Sequence, residues 1–331
     1  MRSARPPRRS LMRRLLAGKG VLVFLAFGLV LYLAVARFLG EKAHLPPVDG
    51  WTLLVLAGAL GVEFAAKGAF AGMFKVAVRA GGLRLHFRDA VRAALVASGV
   101  ARLVPAGGAF TPAAMAWTVR DEVPGTAGAA LRTTVLTYGG LLLGTGGAIL
   151  WARAAGLGVA LNAGVVTIGI SGVAAGVLLL SGPRWMGSIT RRLPERFRRL
   201  IGPTAVDRRV TPLEVGFLIL RLGAEAGSMI LALSAFGIDL SPVRGFVVYG
   251  VAHLVGGLPG SPGGLGVIEA GLVGVLALLG VAPSVSLGPI LVYRVIAYWI
   301  PAGVGIFAGA HTWISQEGTV RVESEDRPPV E

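Results

Sequence analysis

Residues 257–269, GLPGSPGGLGVIE, interrupt an apolar stretch with glycine and proline, and residues 103–112, LVPAGGAFTP, do the same earlier in the chain. Each surrounding stretch would otherwise be long enough to cross a bilayer, which takes roughly 20 apolar residues in a helix. Proline removes a backbone donor, and glycine adopts conformations that other residues avoid. We therefore expect two re-entrant turns, marked by Pro105, Gly107, Gly108, Pro259, Gly260, Gly263, Gly264 and Gly266. The alternative is that these residues only kink ordinary helices.

The composition around these breaks is that of a membrane protein. The chain has 331 residues, of which 54% are hydrophobic and 15% charged, against about 25% charged residues in an average soluble domain. It has no cysteine, which excludes disulfides and thiolate chemistry. Its four histidines are scattered without metal-ligand spacing. We therefore predict an all-α polytopic membrane protein with no metal site and no cofactor.

The positive charge of the chain is concentrated in loops. The formal net charge is +15, and Lys and Arg cluster at 1–19, 75–92 and 184–210, between apolar segments. An excess of Lys and Arg between spans is typical of cytoplasmic loops. We therefore place these segments in the cytoplasm and do not expect nucleic acid as a partner.

Counting spans between these loops predicts the topology. Six apolar stretches are read as full spans: 20–39, 51–74, 126–151, 159–180, 212–236 and 286–313. The rival reading of the first is a cleaved signal peptide, because residues 34–36, AVA, resemble a cleavage site. The stretch 93–119 has cytoplasmic charge on both sides, so it should enter and leave on one face. The stretch 242–280 divides into two helices that are each too short to span.

The two halves of the chain then match. Each consists of span, span, hairpin and span, and the second half starts from the opposite face, which is an inverted-topology repeat. The predicted fold is six full spans plus two re-entrant helical hairpins in one transmembrane domain, 20–313, with halves at about 20–151 and 159–313. A basic tail, 1–19, precedes it, and a polar tail, 314–331, predicted to be disordered, follows. Both termini are predicted to be cytoplasmic, in the plasma membrane.

Ionisable residues lie within or beside the predicted membrane segments. A charge at mid-bilayer costs about 2.5–3.5 kcal/mol or more and usually faces a protein interior or a wet cavity. Our candidates for binding an anionic headgroup are Arg294, Glu269, Arg132, Glu63, Lys67, Arg221 and Glu225.

Each candidate also has a structural interpretation. Glu63 with Lys67, and Arg221 with Glu225, are four residues apart and could form a clamp between helices. Arg132 and Arg294 could extend to the membrane interface. Glu269 could accept from Arg294 or cap the helix after the second turn.

The second break, with Arg294 downstream, resembles the lysylphosphatidylglycerol synthase transmembrane region family, also described as flippase-like (UPF0104-type). Residues 103–109, LVPAGGA, are similar to the family's first motif. The resemblance implies about eight membrane segments with re-entrant pieces, and flipping of phospholipids or lipid-linked molecules. Many members have Arg or Glu beside the first turn, where this chain has glycine and alanine, so no charged headgroup contact carries over there. Two-domain members add an aminoacyltransferase domain, which we do not expect here.

We therefore expect a flippase-like transporter for an anionic phospholipid or lipid-linked headgroup. The alternative is a noncatalytic membrane subunit that presents lipid to a partner enzyme; homo-oligomers are also conceivable. An intramembrane enzyme is less favoured, because HExxH, P-loop and GxSxG motifs and a Cys nucleophile are all missing from the sequence. Ser261 with His253 is the only conceivable nucleophile pair, and flanking prolines disfavour it. We predict no catalytic residues.

Overall fold

The structure is a computed structural model that describes residues 48–103, 107–156, 163–181, 209–257 and 263–309. Every regular element in these ranges is helical: α1 Gly50–Ala80, α2 Phe87–Leu103, α3 Gly107–Thr118, α4 Ala127–Ala154, α5 Ala163–Leu180, α6 Pro212–Ser234, α7 Pro242–Gly256, α8 Val267–Leu278 and α9 Pro283–Arg294. A π-helical turn, Val295–Trp299, follows α9 directly, and the helix then continues to Gly309. The predicted span 20–39, most of the basic loop and both tails lie outside the described residues.

Four helices are long and apolar enough to cross a membrane: α1, α4, α6 and α9 with its continuation to Gly309. They contain 31, 28, 23 and 27 residues, and at 1.5 Å per residue each exceeds the hydrocarbon thickness of about 30 Å. They coincide with the spans predicted at 51–74, 126–151, 212–236 and 286–313. The protein is therefore an all-helical, multi-pass membrane protein in the part of the chain that the structure describes.

Local sequence signals explain where several of these helices begin. Asp49 caps α1, because its Oδ1 accepts from the backbone N–H of Thr52 at 2.8 Å. Thr211 and Glu214 form a reciprocal capping box at the start of α6, with Pro212 as its first residue. Serine, threonine and aspartate at these positions satisfy backbone donors that a helix start leaves unpaired.

The helices flanking the first break, α2 and α3, form an antiparallel pair. Arg92 near the start of α2 forms an ion pair with Glu122, just beyond the end of α3. The outer ends of the two helices therefore lie side by side. The helices have 17 and 12 residues, so each is about 18–26 Å long, less than the hydrocarbon thickness.

The helices flanking the second break, α7 and α8, are paired in the same way. A Cβ on Gly271 would lie 3.1 Å from Ala252 Cα, and one on Gly256 would lie 2.1 Å from a side-chain carbon of Ile268. Late residues of α7 thus face early residues of α8, as in an antiparallel pair. With 15 and 12 residues, these helices are also shorter than a full span.

Small residues let the long helices pack closely. In the contact of α4 with α5, a Cβ on Gly146 would lie 2.5 Å from the carbonyl oxygen of Gly169. Between α1 and α6, the Ser228 hydroxyl donates to the Ala59 carbonyl oxygen at 2.9 Å. Close backbone approach through small residues is how helices associate in lipid. The α1–α6 contact brings the charged residues of these two helices together.

Candidate functional site: a charged cavity between the broken helices

A cavity of about 230 Å³ lies where the two broken helix pairs meet the long helices. From the first pair, Arg102 at the end of α2 and Gly108 at the start of α3 line it. From the second pair, Gly256 at the end of α7 and the turn residues Gly263 and Gly264 line it. Residues of α1, α4, α6 and α9 complete the wall. Residues of both sequence breaks therefore border one shared cavity.

Charged side chains converge on this cavity. Among the described residues, four cations and two carboxylates line it: Lys67, Arg102, Arg221, Arg294, Glu63 and Glu225. Five of these were candidates from the sequence; Arg102 was not. The excess of positive charge suits an anion, and guanidinium groups suit phosphate or carboxylate oxygens in particular.

One ion-pair network joins α1 to α6 along the cavity wall. Lys67 Nζ lies 2.7 Å from Glu63 Oε1 and 3.0 Å from Glu225 Oε1. Glu225 also accepts from Arg221 Nε at 3.5 Å and from the Tyr249 hydroxyl at 2.5 Å. The two pairs expected at four-residue spacing therefore form, and Lys67 links them across the helices. A clamp between α1 and α6 is thus present within the cavity wall.

Arg221 is further oriented by neutral partners. Its Nη1 donates to Thr137 Oγ1 of α4 at 2.7 Å, and its guanidinium carbon lies 3.8 Å from the centre of the Phe70 ring. A cation held over an aromatic face and by a hydroxyl keeps a fixed position in a low-dielectric interior.

Arg294 and Glu269 pair beneath the second turn. Arg294 Nε donates to Glu269 Oε1 at 2.6 Å, and the backbone N–H of Gly266 donates to Glu269 Oε2 at 2.7 Å. Glu269 therefore plays both structural roles that the sequence suggested, since it accepts from Arg294 and caps α8. Arg294 is 3% exposed, and its Nη2 has no hydrogen-bond partner among the described residues.

Arg102 is the cavity cation that the sequence analysis missed. Its Nη1 donates to the Ser98 carbonyl oxygen at 2.9 Å and its Nη2 to the Ala297 carbonyl oxygen at 2.6 Å. In return, the Tyr298 hydroxyl donates to the Arg102 carbonyl oxygen at 2.9 Å. These bonds tie the end of α2 to the π-helical turn. The available signal was an arginine inside an apolar stretch, directly before the first break.

Arg132 lies elsewhere, although the sequence placed it among the headgroup candidates. It does not line the cavity. Its Nε and Nη2 donate to the two carboxylate oxygens of Glu214 at 2.7 and 2.9 Å, and Nη2 also donates to the Arg209 carbonyl oxygen. It is buried in this pair and does not extend to the interface. Glu214 is 82 residues away in sequence, so a search at helical spacing missed it. We leave Arg132 out of the site.

The second turn requires glycine for two reasons. Gly263, Gly264 and Gly266 have φ angles of 57°, 71° and 80°, which other residues rarely adopt. A Cβ on Gly263 would also lie 2.4 Å from Cε2 of Tyr298. Pro105, Pro259 and Gly260 lie outside the described residues, whereas Gly107 is the first residue of α3.

His253 lines the cavity as part of α7, with its Nδ1–H donating to the Tyr249 carbonyl oxygen at 2.8 Å. Within the described ranges, no group of three or more His, Asp or Glu side chains is placed to hold a metal ion. What the cavity offers chemically is a set of buried and half-buried guanidinium and ammonium donors facing two carboxylates. One buried donor, Arg294 Nη2, has no hydrogen-bond partner within the described ranges.

Comparison with known proteins places this arrangement among membrane proteins of one family. The sequence model of the family described as lysylphosphatidylglycerol synthase TM region matches residues 15–305. Two curated proteins of Methanothermobacter thermautotrophicus, each described as a UPF0104 membrane protein, are also similar. One is 29% identical over 127 residues, 38% of each chain; the other is 34% identical over 96 residues, 29% of this chain and 28% of its own. The matched segments thus span about a third of these relatives.

Proposed function

Because the chain belongs to the lysylphosphatidylglycerol synthase TM region family, we propose that it is a flippase-like transporter. Its substrate is an anionic phospholipid or lipid-linked headgroup, which it moves across the cytoplasmic membrane. The family indicates a role at membrane lipids, and the chemistry of the cavity supplies the preference for an anion. The protein is not an enzyme in this proposal.

The observation that carries the proposal is the unused donor of Arg294. An unpaired polar atom buried in a protein costs about 1–3 kcal/mol, and more when it is charged. Arg294 Nη2 is such an atom, and its residue lines the cavity. A phosphate oxygen would satisfy it, with Arg102 on the opposite broken pair as a second cation in the same space.

The proposed architecture places this cavity within the bilayer. The α2/α3 and α7/α8 pairs are re-entrant hairpins that dip from opposite faces, as parts of an inverted repeat with six full spans. Their short helices and the shared cavity at their tips support this arrangement. Broken backbone in hydrocarbon is tolerated where it is buried in protein or lines a cavity. Transport then requires the two hairpins to open the cavity alternately to either face.

A headgroup-accessibility assay in proteoliposomes tests the proposal. The reconstituted full chain should move labelled phosphatidylglycerol between leaflets faster than empty vesicles do. Arg294→Gln should lower the rate by about tenfold or more, because a hydrogen bond to a charged group contributes about 1.5–3 kcal/mol. Arg153→Gln is the matched control, since Arg153 is exposed at the end of α4. Its rate should equal that of the parent protein.

Equal rates in the parent, in Arg294→Gln and in empty vesicles would overturn the transport proposal. If phosphatidylglycerol binds to the parent and not to Arg294→Gln, yet does not move, the chain is a lipid-presenting subunit instead. The volume of the cavity, about 230 Å³, favours this second function, because it suits a headgroup alone.

A further inference from the structure

Glu63 is a deeply buried acid of the cavity wall, and one of its two carboxylate oxygens is poorly satisfied. Its side chain is 2% exposed, and its ion pair with a described residue uses Oε1, which accepts Lys67 Nζ at 2.7 Å. Oε2 is buried without a hydrogen-bond partner among the described residues. An ionised carboxylate with one unsolvated, unpaired oxygen is costly in a protein interior. A proton on this carboxyl would remove that cost.

The partner of Glu63 is shared with a second carboxylate. Lys67 Nζ also lies 3.0 Å from Glu225 Oε1, so one ammonium group serves two acids. Glu225 has two further donors, the Tyr249 hydroxyl at 2.5 Å and Arg221 Nε at 3.5 Å. When Glu63 takes up a proton, Lys67 stays paired with Glu225. Glu225 is therefore the acid that remains ionised, and Glu63 is the one able to change its charge.

The other titratable groups that face Glu63 across the cavity are less suited to this role. The charged ones are Lys67 on α1, Arg102 on α2, Arg221 and Glu225 on α6, and Arg294 on α9. The neutral ones are Tyr138 on α4, Tyr249 and His253 on α7, and Tyr293 and Tyr298 on α9 and its π-helical turn. The Nδ1–H of His253 is held by the Tyr249 carbonyl oxygen, and a second proton would add a fifth cation to the wall.

We propose that Glu63 is a proton-binding site whose protonation is coupled to anion binding beside Arg294, so that the protein carries a proton with each anionic headgroup. This inference rests on the proposed transport function and names its coupling ion. The proton passes from water to a Glu63 oxygen when the cavity is open to one face. It returns to water from the same oxygen when the cavity is open to the other face.

Protonation of Glu63 and binding of an anion should favour each other. Neutralising Glu63 raises the net positive charge around the cavity, which favours an anion, and a bound anion in turn favours the protonated acid. Coupling between two ligands is reciprocal, and typical coupling changes affinity by about 5-fold to 150-fold. Anionic lipid should therefore bind more tightly as the pH falls, by at most about tenfold per pH unit for one linked proton.

Binding measured against pH tests this directly. Phosphatidylglycerol is titrated into the purified full chain in detergent across the neutral pH range. The parent protein should show tighter binding at lower pH. Glu63→Gln, which resembles the protonated acid, should bind at the parent's low-pH affinity throughout. Glu63→Asp keeps an acid on a shorter side chain, and its binding should still depend on pH. His253→Gln is the matched control and should retain the parent's pH dependence.

Infrared difference spectroscopy gives a readout that does not depend on transport. Acidification, or addition of phosphatidylglycerol at constant pH, should produce the C=O stretch of a protonated carboxyl group. The band should be missing in Glu63→Gln and present in His253→Gln, which keeps Glu225 as the partner of Lys67.

Binding that is tight and independent of pH in the parent would overturn the proton coupling and leave the transport proposal standing. Loss of the pH dependence in His253→Gln, with retention in Glu63→Gln, would overturn it as well. If phosphatidylglycerol neither binds nor moves at any pH, both the coupling and the proposed function are wrong.

Discussion

Two arginines on long helices, Arg132 on α4 and Arg294 on α9, differ in how completely their partners satisfy them. Arg132 places Nε and Nη2 on both oxygens of one carboxylate, Glu214. Arg294 donates from Nε to Glu269, and its Nη2 has no hydrogen-bond partner in the part of the chain that the structure describes. The first arrangement closes an ion pair that holds the start of α6 to α4. The second leaves a buried donor on a residue that lines the cavity, and we propose that this donor binds the substrate.

Arg132→Ala tests this distinction by its effect on stability. Glu214 has no exposed surface, so removing its partner leaves an unpaired buried charge, which destabilises a protein by about 3–5 kcal/mol. Thermal unfolding in detergent should show that loss. Phosphatidylglycerol movement per folded molecule should equal that of the parent. A variant with parental stability and no lipid movement would place Arg132 in the transport site after all.

Charge pairs within one helix can be predicted from the sequence, whereas charge pairs between helices cannot. Glu63 with Lys67, and Arg221 with Glu225, were predictable because residues four apart share a helix face. The Glu269–Arg294 contact was one of two alternatives for Glu269, the other being the cap of α8, and the structure shows both. The link from Lys67 to Glu225 spans 158 residues and depends on how α1 packs on α6. No local spacing contains that information, and the same holds for Arg132 with Glu214.

At the scale of elements, the positions of helices and breaks were the most predictable part of the fold. Apolar length located α1, α4, α6 and α9, and glycine and proline located the interruptions between α2 and α3 and between α7 and α8. The tight junction at the second turn was not predictable. There, Tyr298 of the π-helical turn approaches Gly263, and its hydroxyl donates to the Arg102 carbonyl oxygen. Such a contact requires three separate segments to meet.

Two glycines of the second turn form a matched pair of substitutions. Gly263 and Gly266 both have positive φ, so alanine at either position strains the backbone by about 1–2 kcal/mol. Only a Cβ on Gly263 meets Tyr298, at 2.4 Å; one on Gly266 has nothing within 4 Å. Both variants should unfold at a slightly lower temperature. Lipid movement should fall sharply in Gly263→Ala and persist in Gly266→Ala. Equal activity in the two would show that the contact with Tyr298 does not shape the cavity.

At the scale of the whole molecule, the proposed repeat explains why equivalent parts meet at one place. In that repeat α1 corresponds to α6, α4 to α9, and the α2/α3 pair to the α7/α8 pair. The equivalent helices α1 and α6 are joined by the ion pair of Lys67 with Glu225, and both broken pairs border one cavity. A headgroup site between repeats suits alternating access, because either half can then open it.

Sided cysteine labelling tests this central claim most directly, and the chain helps because it contains no cysteine of its own. Single cysteines would replace Arg88 and Arg120 at the outer ends of the first hairpin, and Asp239 and Ser284 beside the second; all four residues are exposed. A membrane-impermeant reagent applied to intact cells, and then to opened membranes, reports the side of each. The account predicts Arg88→Cys and Arg120→Cys on the cytoplasmic side, and Asp239→Cys and Ser284→Cys on the opposite side. Labelling of Arg88→Cys and Arg120→Cys from different sides would contradict it.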